Sequence, residues 1–258
     1  AFMAAAHVPG VAVAVVLHGN PGWSKGYGMA DLENAVPVTP RTLFRLASVS
    51  KPITAVAAMQ LWERGKLDLD APVQRYCPSF PEKPWPITTR ELLGHLGGIR
   101  HYKSDTPNDR EIGNTQHFTD GIAGGLAFFA SDTLVAPPRT TFHYSTQGYT
   151  LIGCAIEHAA SASYTDVVRE NVFVPAGMTH TVVDDRFAII PYRTRFYHRE
   201  STGKVVNADF LDASYKVPGG GWLSSANDLA KFESALLHDT LVRRSTRTLM
   251  WTSQRTTR

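Results

Sequence analysis

The chain has 258 residues, of which 43% are hydrophobic and 19% are charged, as is typical of a soluble globular domain. No stretch reaches the roughly 18 to 20 consecutive apolar residues of a membrane-spanning helix, so we expect no membrane span. The net charge is only +3. Although five arginines fall within residues 243–258, we interpret this tail as a solvated segment and expect no nucleic-acid partner.

The cysteines and histidines do not indicate a metal centre. The two cysteines, Cys77 and Cys154, lack CxxC spacing, and the ten histidines contain no HExxH pattern. We therefore expect neither a zinc module nor a disulfide scaffold. The opening residues AFMAAAHVPG lack the zones of a signal peptide, which fits a processed or trimmed N-terminus and leaves the compartment open.

The first quarter of the chain predicts a hairpin followed by a buried helix. Residues 11–19 are apolar and β-branched, residues 20–22 form a turn cluster, and alternation resumes over 23–33. Residues 52–65 are apolar on nearly every face and end in glycine. Because such a helix has no polar face to turn to solvent, we expect it at the centre of the fold.

Short helices and loops follow. A helix over 88–98 begins with a capping-box pattern, Thr88 with Glu91, and further helices are predicted over 146–161 and 163–172. Residues 194–210 predict a second hairpin with a Ser-Thr-Gly turn.

The last predicted element is an amphipathic helix within 218–237, capped by Ser225 or Asn227. Together the elements predict a single domain over 1–258 of the α+β class. In this prediction an α/β lobe (1–65 and 216–258) carries a mostly helical lobe (66–215) as an insertion.

The pattern Ser-x-x-Lys is the first candidate for chemistry, and it occurs at Ser48–Lys51 and at Ser201–Lys204. The second copy contains Gly203 and falls in a predicted turn, so we set it aside. The first opens the buried helix, where side chains three residues apart face the same way and can form a hydrogen bond.

Two interpretations of the first copy are open. Ser48 or Ser50 caps the helix and Lys51 is incidental, or Ser48 is a nucleophile and Lys51 its base. A cation at a helix N-terminus opposes the helix dipole at a cost of roughly 0.3–1 kcal/mol, which favours the second interpretation. Burial would hold the lysine neutral, and the Ser48 backbone N–H could stabilise an oxyanion.

Tyr144 and Thr146 fall at the predicted start of the helix over 146–161. A phenol beside a lysine can relay a proton to a leaving group, whereas the alternative is a core tyrosine at a helix cap. The run Gly219-Gly220-Gly221 lacks phosphate-loop spacing, so we expect it to let the backbone pass close to a cleft or a helix. The chain has no G-x-S-x-G elbow, Walker loop or dinucleotide fingerprint.

With these residues in view, the chain resembles the serine β-lactamase-like and penicillin-binding family, in its class C branch. The resemblance rests on ordered segments along nearly the whole chain: LASVSKPITAVAAMQLWERGKLDLDAPV, ITTRELLGHLGGI, FHYSTQGYTLIG, VPAGMTHT and GGGWLSSANDLAKF. It implies a β-lactamase/transpeptidase-like fold, an antiparallel sheet flanked by helices with an all-helical lobe inserted.

The resemblance also implies roles for individual residues. Ser48 would be the acylated nucleophile, Lys51 the general base, and Tyr144 the base and acid of the second motif. Thr146 stands where much of the family has a substrate-contacting asparagine, which puts β-lactam specificity in question. We also assign substrate binding to Gly220 and Gly221.

The resemblance further implies a third motif, Lys-Thr-Gly or His-x-Gly, on a strand beyond the last matching segment. Because the chain stops at Arg258, we expect the final strands of the sheet to lie in a longer protein. The implied activity is a serine hydrolase that acts on a small-molecule or peptide amide or ester and needs no metal or other cofactor. Alternatives are a carboxylesterase, a D-amino-acid peptidase, or a non-catalytic scaffold or filament. A periplasmic or secreted location is favoured, and the oligomeric state is open.

Overall fold

A computed structural model of the chain describes residues 2–103, 111 and 113–254. Its strands are β1 (Gly10–Leu17), β2 (Asn20–Asp31), β3 (Val36–Pro37), β4 (Phe44–Arg45), β5 (Val182–Val183), β6 (Tyr197–Arg199), β7 (Val205–Asn207) and β8 (Trp222–Ser224). Its helices are α1 (Phe2–Ala6), α2 (Ser50–Glu63), α3 (Thr89–Leu93), α4 (Ile122–Ala127), α5 (Thr146–Ala160), α6 (Tyr164–Val168), α7 (Val174–Ala176), α8 (Val217–Gly220), α9 (Ala226–Leu237) and α10 (Arg244–Trp251).

These strands form three small antiparallel sheets with helices packed around them, so the predicted α+β class is confirmed. The sheet orders are β1-β2-β3, β4-β8-β5 and β6-β7. Residues 66–215 hold the five helices α3 to α7 but also the strands β5, β6 and β7. The division into two lobes stays a prediction.

Both predicted hairpins are present. In the first, β1 pairs with β2 from Gly10↔Gly28 to Leu17↔Asn20, and α9 packs against both strands. In the second, β6 and β7 pair from Tyr197↔Asn207 to Arg199↔Val205 around the Ser-Thr-Gly turn.

The helix α2 forms the centre of the core, as its apolar sequence predicts. Ile53, Val56 and Ala57 are completely buried in the main apolar cluster. Among the buried polar residues of α2 is Thr54, whose hydroxyl lies 2.7 Å from the hydroxyl of Tyr164 and donates to the carbonyl of Pro218 at 2.6 Å. Since a buried hydroxyl without a partner would cost free energy, these bonds fix α2 against α6 and α8.

The second sheet brings two distant segments of the chain together. In the register of β4 with β8, Phe44 pairs with Ser224 and Arg45 with Leu223. The residues just after β4 and just before β8 therefore become neighbours. They are the Ser48 segment and the run of glycines at 219–221.

Several predicted helix starts are confirmed in detail. Thr88 and Glu91 form the complete capping box of α3. Ser225, and not Asn227, caps α9 by accepting a hydrogen bond from the Asp228 N–H at 3.1 Å. The helix predicted over 163–172 is α6 followed by one wider turn over 169–173.

Two expectations are wrong. The arginine-rich tail is not simply a solvated segment, because α10 packs on the fold. There Arg247 is only 9% exposed, donates to the carbonyl of Leu237 at 2.7 Å and pairs with Asp239 at 2.7 Å. Arginine suits such a site because its apolar stem can be buried while its guanidinium satisfies several acceptors.

The second wrong expectation concerns the cysteines, because Cys77 and Cys154 form a disulfide. It ties the loop before α3 to the middle of α5 and closes a loop across 77 positions of sequence. Sequence spacing did not indicate it because the two half-cystines are brought together only by the packing of α5. In the chain-entropy view a bond across so long a loop stabilises the fold by restricting the unfolded chain.

We predict that the double variant Cys77→Ser/Cys154→Ser has a free energy of unfolding lower by about 2–4 kcal/mol. Urea unfolding of the wild type and the variant, each with and without a reductant, measures this. The reductant should destabilise the wild type and leave the variant unchanged. Equal stability of all four samples would contradict a disulfide in the folded chain.

Candidate active site

Ser48 lies at the surface, in a single tight turn that leads directly into α2. The turn covers Ala47–Val49 and is entered through Ala47 with φ 45°, a left-handed conformation. For a residue with a Cβ this conformation costs roughly 1–2 kcal/mol, so the surrounding structure must hold it. Its consequence is that Ser48 sits exposed at the head of a helix whose body is buried.

The interpretation of these serines as helix caps is wrong. The N-terminus of α2 has no side-chain cap, and the buried hydroxyl of Ser50 has no hydrogen-bond partner. Ser48 instead directs its hydroxyl to two other side chains. Lys51 Nζ lies 3.1 Å and the Tyr144 hydroxyl 2.6 Å from Ser48 Oγ.

Lys51 is buried, with 4% of its surface exposed. Besides Ser48, its Nζ donates to Thr146 Oγ1 at 3.0 Å and to the carbonyl of Gly219 at 2.7 Å. Burial lowers the pKa of Lys51, while the hydrogen bond and charge of Tyr144 oppose that shift. A neutral amine would keep two N–H bonds for Thr146 and Gly219 and present its lone pair to the Ser48 hydroxyl.

Tyr144 completes a hydrogen-bonded unit with Ser48 and Lys51. Burial alone would raise the pKa of Tyr144, but its hydrogen bonds with Lys51 and Ser48 and the positive charge of Lys51 outweigh burial and lower it. Tyr144 as a whole remains 38% exposed, so it can meet a ligand from solvent. The alternative of a core tyrosine therefore does not describe this residue.

The start of α5 positions Tyr144 and Thr146. Ser145 caps the helix by accepting from the Gly148 N–H at 2.8 Å and donates to the carbonyl of Arg100 at 2.6 Å. Thr146, 1% exposed, turns its hydroxyl toward Lys51. The predicted contact of Thr146 with substrate stays a prediction.

Two histidines that the sequence analysis did not select support this helix start. His95 Nδ1 accepts from the Ser145 N–H at 3.1 Å, and His101 Nδ1 accepts from the Thr146 N–H at 3.2 Å. Both rings lie against Tyr144, with centroids 4.5 and 5.3 Å from its ring.

To accept these hydrogen bonds, each histidine must carry no proton on Nδ1 and must therefore be neutral. Burial, and then the charges of Lys51 and His101, lower the pKa of His95 to about 4. Burial and Lys51 also lower the pKa of His101. Scattered single histidines carry no sequence signal for such a role, because it depends on a contact with a helix that starts some fifty residues later.

The three glycines at 219–221 have different surroundings, and the predicted substrate binding by Gly220 and Gly221 stays a prediction. Gly219 carries the carbonyl that accepts from Lys51, and a Cβ there would lie 2.5 Å from Thr146 Cγ2, so a larger residue would push the two segments apart. Gly220 lines the cleft, as Gly219 does. Gly221 is not among the lining residues; its carbonyl accepts from the Asp184 N–H at 2.8 Å.

A cleft of about 290 Å³ opens beside Ser48, at the lower end of the range for small-molecule sites. Its walls come from the turn before α2, the segment after Arg100, the start of α5 and the segment around α8. The lining residues are Arg45, Ala47, Ser48, His101, Tyr102, Thr146, Asp184, Leu211, Ala213, Lys216, Gly219 and Gly220.

Other candidate features contribute less. Ser201 and Lys204 are both exposed in the turn between β6 and β7. In the described part of the chain no group of three or more histidine, cysteine or acidic side chains could hold a metal ion. Nor is any helix there long and apolar enough to cross a membrane.

A surface serine bonded to a buried lysine and a tyrosine, on a fold of helices around antiparallel sheets, is the arrangement of the serine β-lactamases and penicillin-binding proteins. Comparison with known proteins agrees. A family model described as Beta-lactamase matches residues 1–258, so the chain belongs to the β-lactamase family, and the resemblance seen in the sequence is confirmed.

Among curated proteins, the chain is 35% identical to the human serine beta-lactamase-like protein LACTB, mitochondrial, over an alignment of 294 positions. These cover 89% of this chain and 53% of that protein. The chain spans about half the length of the curated relatives it matches.

Two solved structures are similar in fold. The octameric penicillin-binding protein homologue from Pyrococcus abyssi superposes with a TM-score of 0.82 and 28% identity, over 97% of this chain and 57% of that one. The D-amino acid amidase from Ochrobactrum anthropi SV3, complexed with L-phenylalanine amide, gives 0.81 and 25% identity, over 95% and 70%.

We predict that Lys51→Ala raises the pKa of Tyr144, because the tyrosine loses both a hydrogen bond and a neighbouring positive charge. Tyrosinate absorbance is followed as the pH rises in Lys51→Ala and in Lys51→Ala/Tyr144→Phe. The difference between the two titrations reports the ionisation of Tyr144 alone. The same difference between wild type and Tyr144→Phe provides the reference. An unchanged Tyr144 pKa would show that the two side chains are not coupled.

Proposed function

We propose that the chain carries the active site of a serine hydrolase that forms an acyl-enzyme on Ser48. The observation that supports this most is the meeting of three groups: Ser48 Oγ lies 3.1 Å from a buried lysine amine and 2.6 Å from a tyrosine hydroxyl. A serine hydroxyl is a weak nucleophile until a neighbouring base takes its proton. Lys51, whose pKa burial lowers, is suited to that task.

The proposed reaction has two halves. As the Ser48 proton passes to the neutral amine of Lys51, Oγ attacks the carbonyl carbon of an amide or ester, and the Ser48 backbone N–H stabilises the oxyanion. The bond to the leaving group then breaks while Tyr144 supplies its proton and is reprotonated by Lys51. In the second half water attacks the ester carbonyl on Ser48, and its proton passes through Tyr144 to Lys51. Lys51 returns a proton to Ser48 Oγ as the ester bond breaks, which releases the acid and restores the serine.

Within this proposal the enzyme is of the β-lactamase or penicillin-binding type, similar to class C. Similarity to a D-amino acid amidase supports an amide substrate and keeps a D-amino-acid peptidase as an alternative, together with a carboxylesterase. Thr146 in place of the family's usual asparagine weakens the expectation for β-lactams. The proposal also includes the organisation of the domain into an α/β lobe (1–65 and 216–258) and a mostly helical lobe (66–215).

An oxidising compartment suits this chain. Disulfides persist in periplasmic and secreted proteins and are rare in reducing ones. The Cys77–Cys154 bond therefore supports the periplasmic or secreted location favoured above.

A scaffold role is the second candidate, because the similar penicillin-binding protein homologue from Pyrococcus abyssi is octameric. Assembly and catalysis do not exclude each other. Multi-angle light scattering of the full-length protein tests it: discrete or long assemblies that also form in Ser48→Ala would support a role for assembly apart from chemistry. A monomer at all concentrations would remove this candidate.

We predict that a fluorophosphonate probe labels Ser48, and that Ser48→Ala abolishes both the adduct and ester hydrolysis, with a loss of at least about 10³-fold. Peptide mass spectrometry locates the adduct. Ser201→Ala, which alters the other Ser-x-x-Lys pattern, is the matched control and should label normally. A full-length protein that no acylating or phosphonylating probe modifies would overturn the proposal.

The substrate class is divided by parallel assays of a chromogenic cephalosporin, a nitrophenyl ester and a D-alanyl peptide on the full-length protein. Turnover of the cephalosporin supports the β-lactamase assignment. Turnover of only the ester or only the D-peptide selects the corresponding alternative.

A further inference from the structure

The main chain on either side of Tyr144 is bound by residues 95–101. The carbonyl of His95 accepts from the His143 N–H at 2.9 Å. This bond adds to the three hydrogen bonds that the same segment makes with the start of α5. The position of Tyr144 therefore depends on how firmly residues 95–101 are themselves held.

Arg100 is the residue that anchors this segment. Its side chain is 12% exposed, and all five N–H groups of its guanidinium donate hydrogen bonds. Nε donates to Asp132 at 2.5 Å, while Nη1 and Nη2 donate to the two carboxylate oxygens of Glu111 at 2.9 and 2.8 Å. The other two N–H groups donate to the carbonyls of His101 at 2.8 Å and Phe128 at 2.5 Å. Lysine has three donors and could not satisfy this set.

Glu111 links the guanidinium of Arg100 directly to α5. Glu111 is 4% exposed, and its Oε2 accepts both from Arg100 Nη1 and, at 2.7 Å, from Nε2 of Gln147. Gln147 lies in the first turn of α5 and is completely buried. Arg100 and the first turn of α5 therefore share one carboxylate oxygen.

Stability alone does not account for buried charges at this place. Removing an ion pair from water costs about as much as the attraction returns, so apolar residues of the same volume often stabilise a fold equally well. The bonds of Arg100 instead fix atoms next to the groups that hold α5. The carbonyl of Arg100 accepts from the Ser145 hydroxyl. The carbonyl of His101, bound by the guanidinium, belongs to the residue whose ring accepts from the Thr146 N–H.

Tyr144 depends on this support because its own contacts do not enclose it. Tyr144 is 38% exposed, and its hydroxyl reaches Ser48 Oγ at 2.6 Å. Its ring lies against the rings of His95 and His101, which belong to the segment that Arg100 anchors. A displacement of about 1 Å in a reacting group can cost on the order of 10²-fold in rate.

We propose that Arg100 is a positioning residue, which fixes the start of α5 through Glu111 and its own segment and so keeps the Tyr144 hydroxyl within hydrogen-bonding distance of Ser48 Oγ. This inference rests on the proposed function, because it assigns the support of one of the three groups in that reaction. Arg100 itself transfers no proton and touches no substrate in this role.

The first test is Arg100→Lys in the full-length protein, which keeps the positive charge but leaves at least two of the five acceptors without a donor. We expect the rate at which a fluorophosphonate labels Ser48 to fall about tenfold or more. We also expect the pKa of Tyr144 to rise, because its hydrogen bonds with Lys51 and Ser48, which lower it, are weakened. The pKa is taken from the tyrosinate absorbance of each variant minus that of the same variant carrying Tyr144→Phe.

A double variant separates action through Tyr144 from a general loss of structure. In Tyr144→Phe protein, Arg100→Lys should change the labelling rate little further, because the hydroxyl that it positions is already absent. Arg247→Lys is the matched control, since the Arg247 side chain is 11% exposed, pairs with Asp239 and does not line the cleft. It should leave the labelling rate and the pKa of Tyr144 unchanged. Equal effects of the two arginine substitutions, or an undiminished effect of Arg100→Lys in Tyr144→Phe protein, would overturn the positioning role.

Gln147→Met keeps the test decisive if Arg100→Lys does not fold. It has a similar volume, leaves the pair of Arg100 and Glu111 intact and removes the bond from α5 to the shared oxygen. We expect smaller changes of the same two quantities in the same direction.

The pKa of Tyr144 also separates this inference from the proposed function, because it can be measured whether or not Ser48 reacts. A raised pKa in a protein that no probe labels would support the placement of Tyr144 by Arg100 and remove the hydrolase proposal. If the folded variants all keep the wild-type pKa of Tyr144 while Ser48 of the wild type labels normally, the positioning role is overturned and the hydrolase proposal stands.

Discussion

The buried amine of Lys51 is the constraint on which the site depends. Its three hydrogen bonds reach Ser48 in the turn before α2, Thr146 at the start of α5, and the carbonyl of Gly219 in α8. A buried amine in this position needs every one of these hydrogen-bond partners, because an unsatisfied buried amine is costly. The three segments are therefore held in one arrangement by the residue that the proposed chemistry needs.

The rest of the fold bears the cost of that arrangement. Ala47 is held in an unfavourable backbone conformation, and the hydroxyl of Ser50 is buried without a partner. Both features lie within four residues of Lys51 and are stabilised by their surroundings: the apolar body of α2, the Thr54 contacts to α6 and α8, and the pairing of β4 with β8. Strain of this kind is found where a site is pre-organised.

Local patterns in the sequence predicted the parts of this structure that depend on neighbours along the chain. The hairpins, the capping box of Thr88 and Glu91, and the approach of Ser48 to Lys51 follow from turn chemistry, capping and helix geometry. Contacts made only by packing were missed: the Cys77–Cys154 disulfide, the histidine acceptors at the start of α5, and the ion pairs of Arg100. Gly219 was missed for the same reason, since its contacts with Lys51 and Thr146, which distinguish it from Gly221, are made only by packing.

The central claim is that Ser48, Lys51 and Tyr144 act as one unit, and a double-mutant cycle tests it directly. The rate at which a fluorophosphonate phosphonylates Ser48 would be measured in wild type, Lys51→Ala, Tyr144→Phe and the double variant. If the groups share one proton network, the double variant reacts about as slowly as the slower single variant, because the first substitution already breaks the network. Effects that multiply, as for independent sites, would contradict the account.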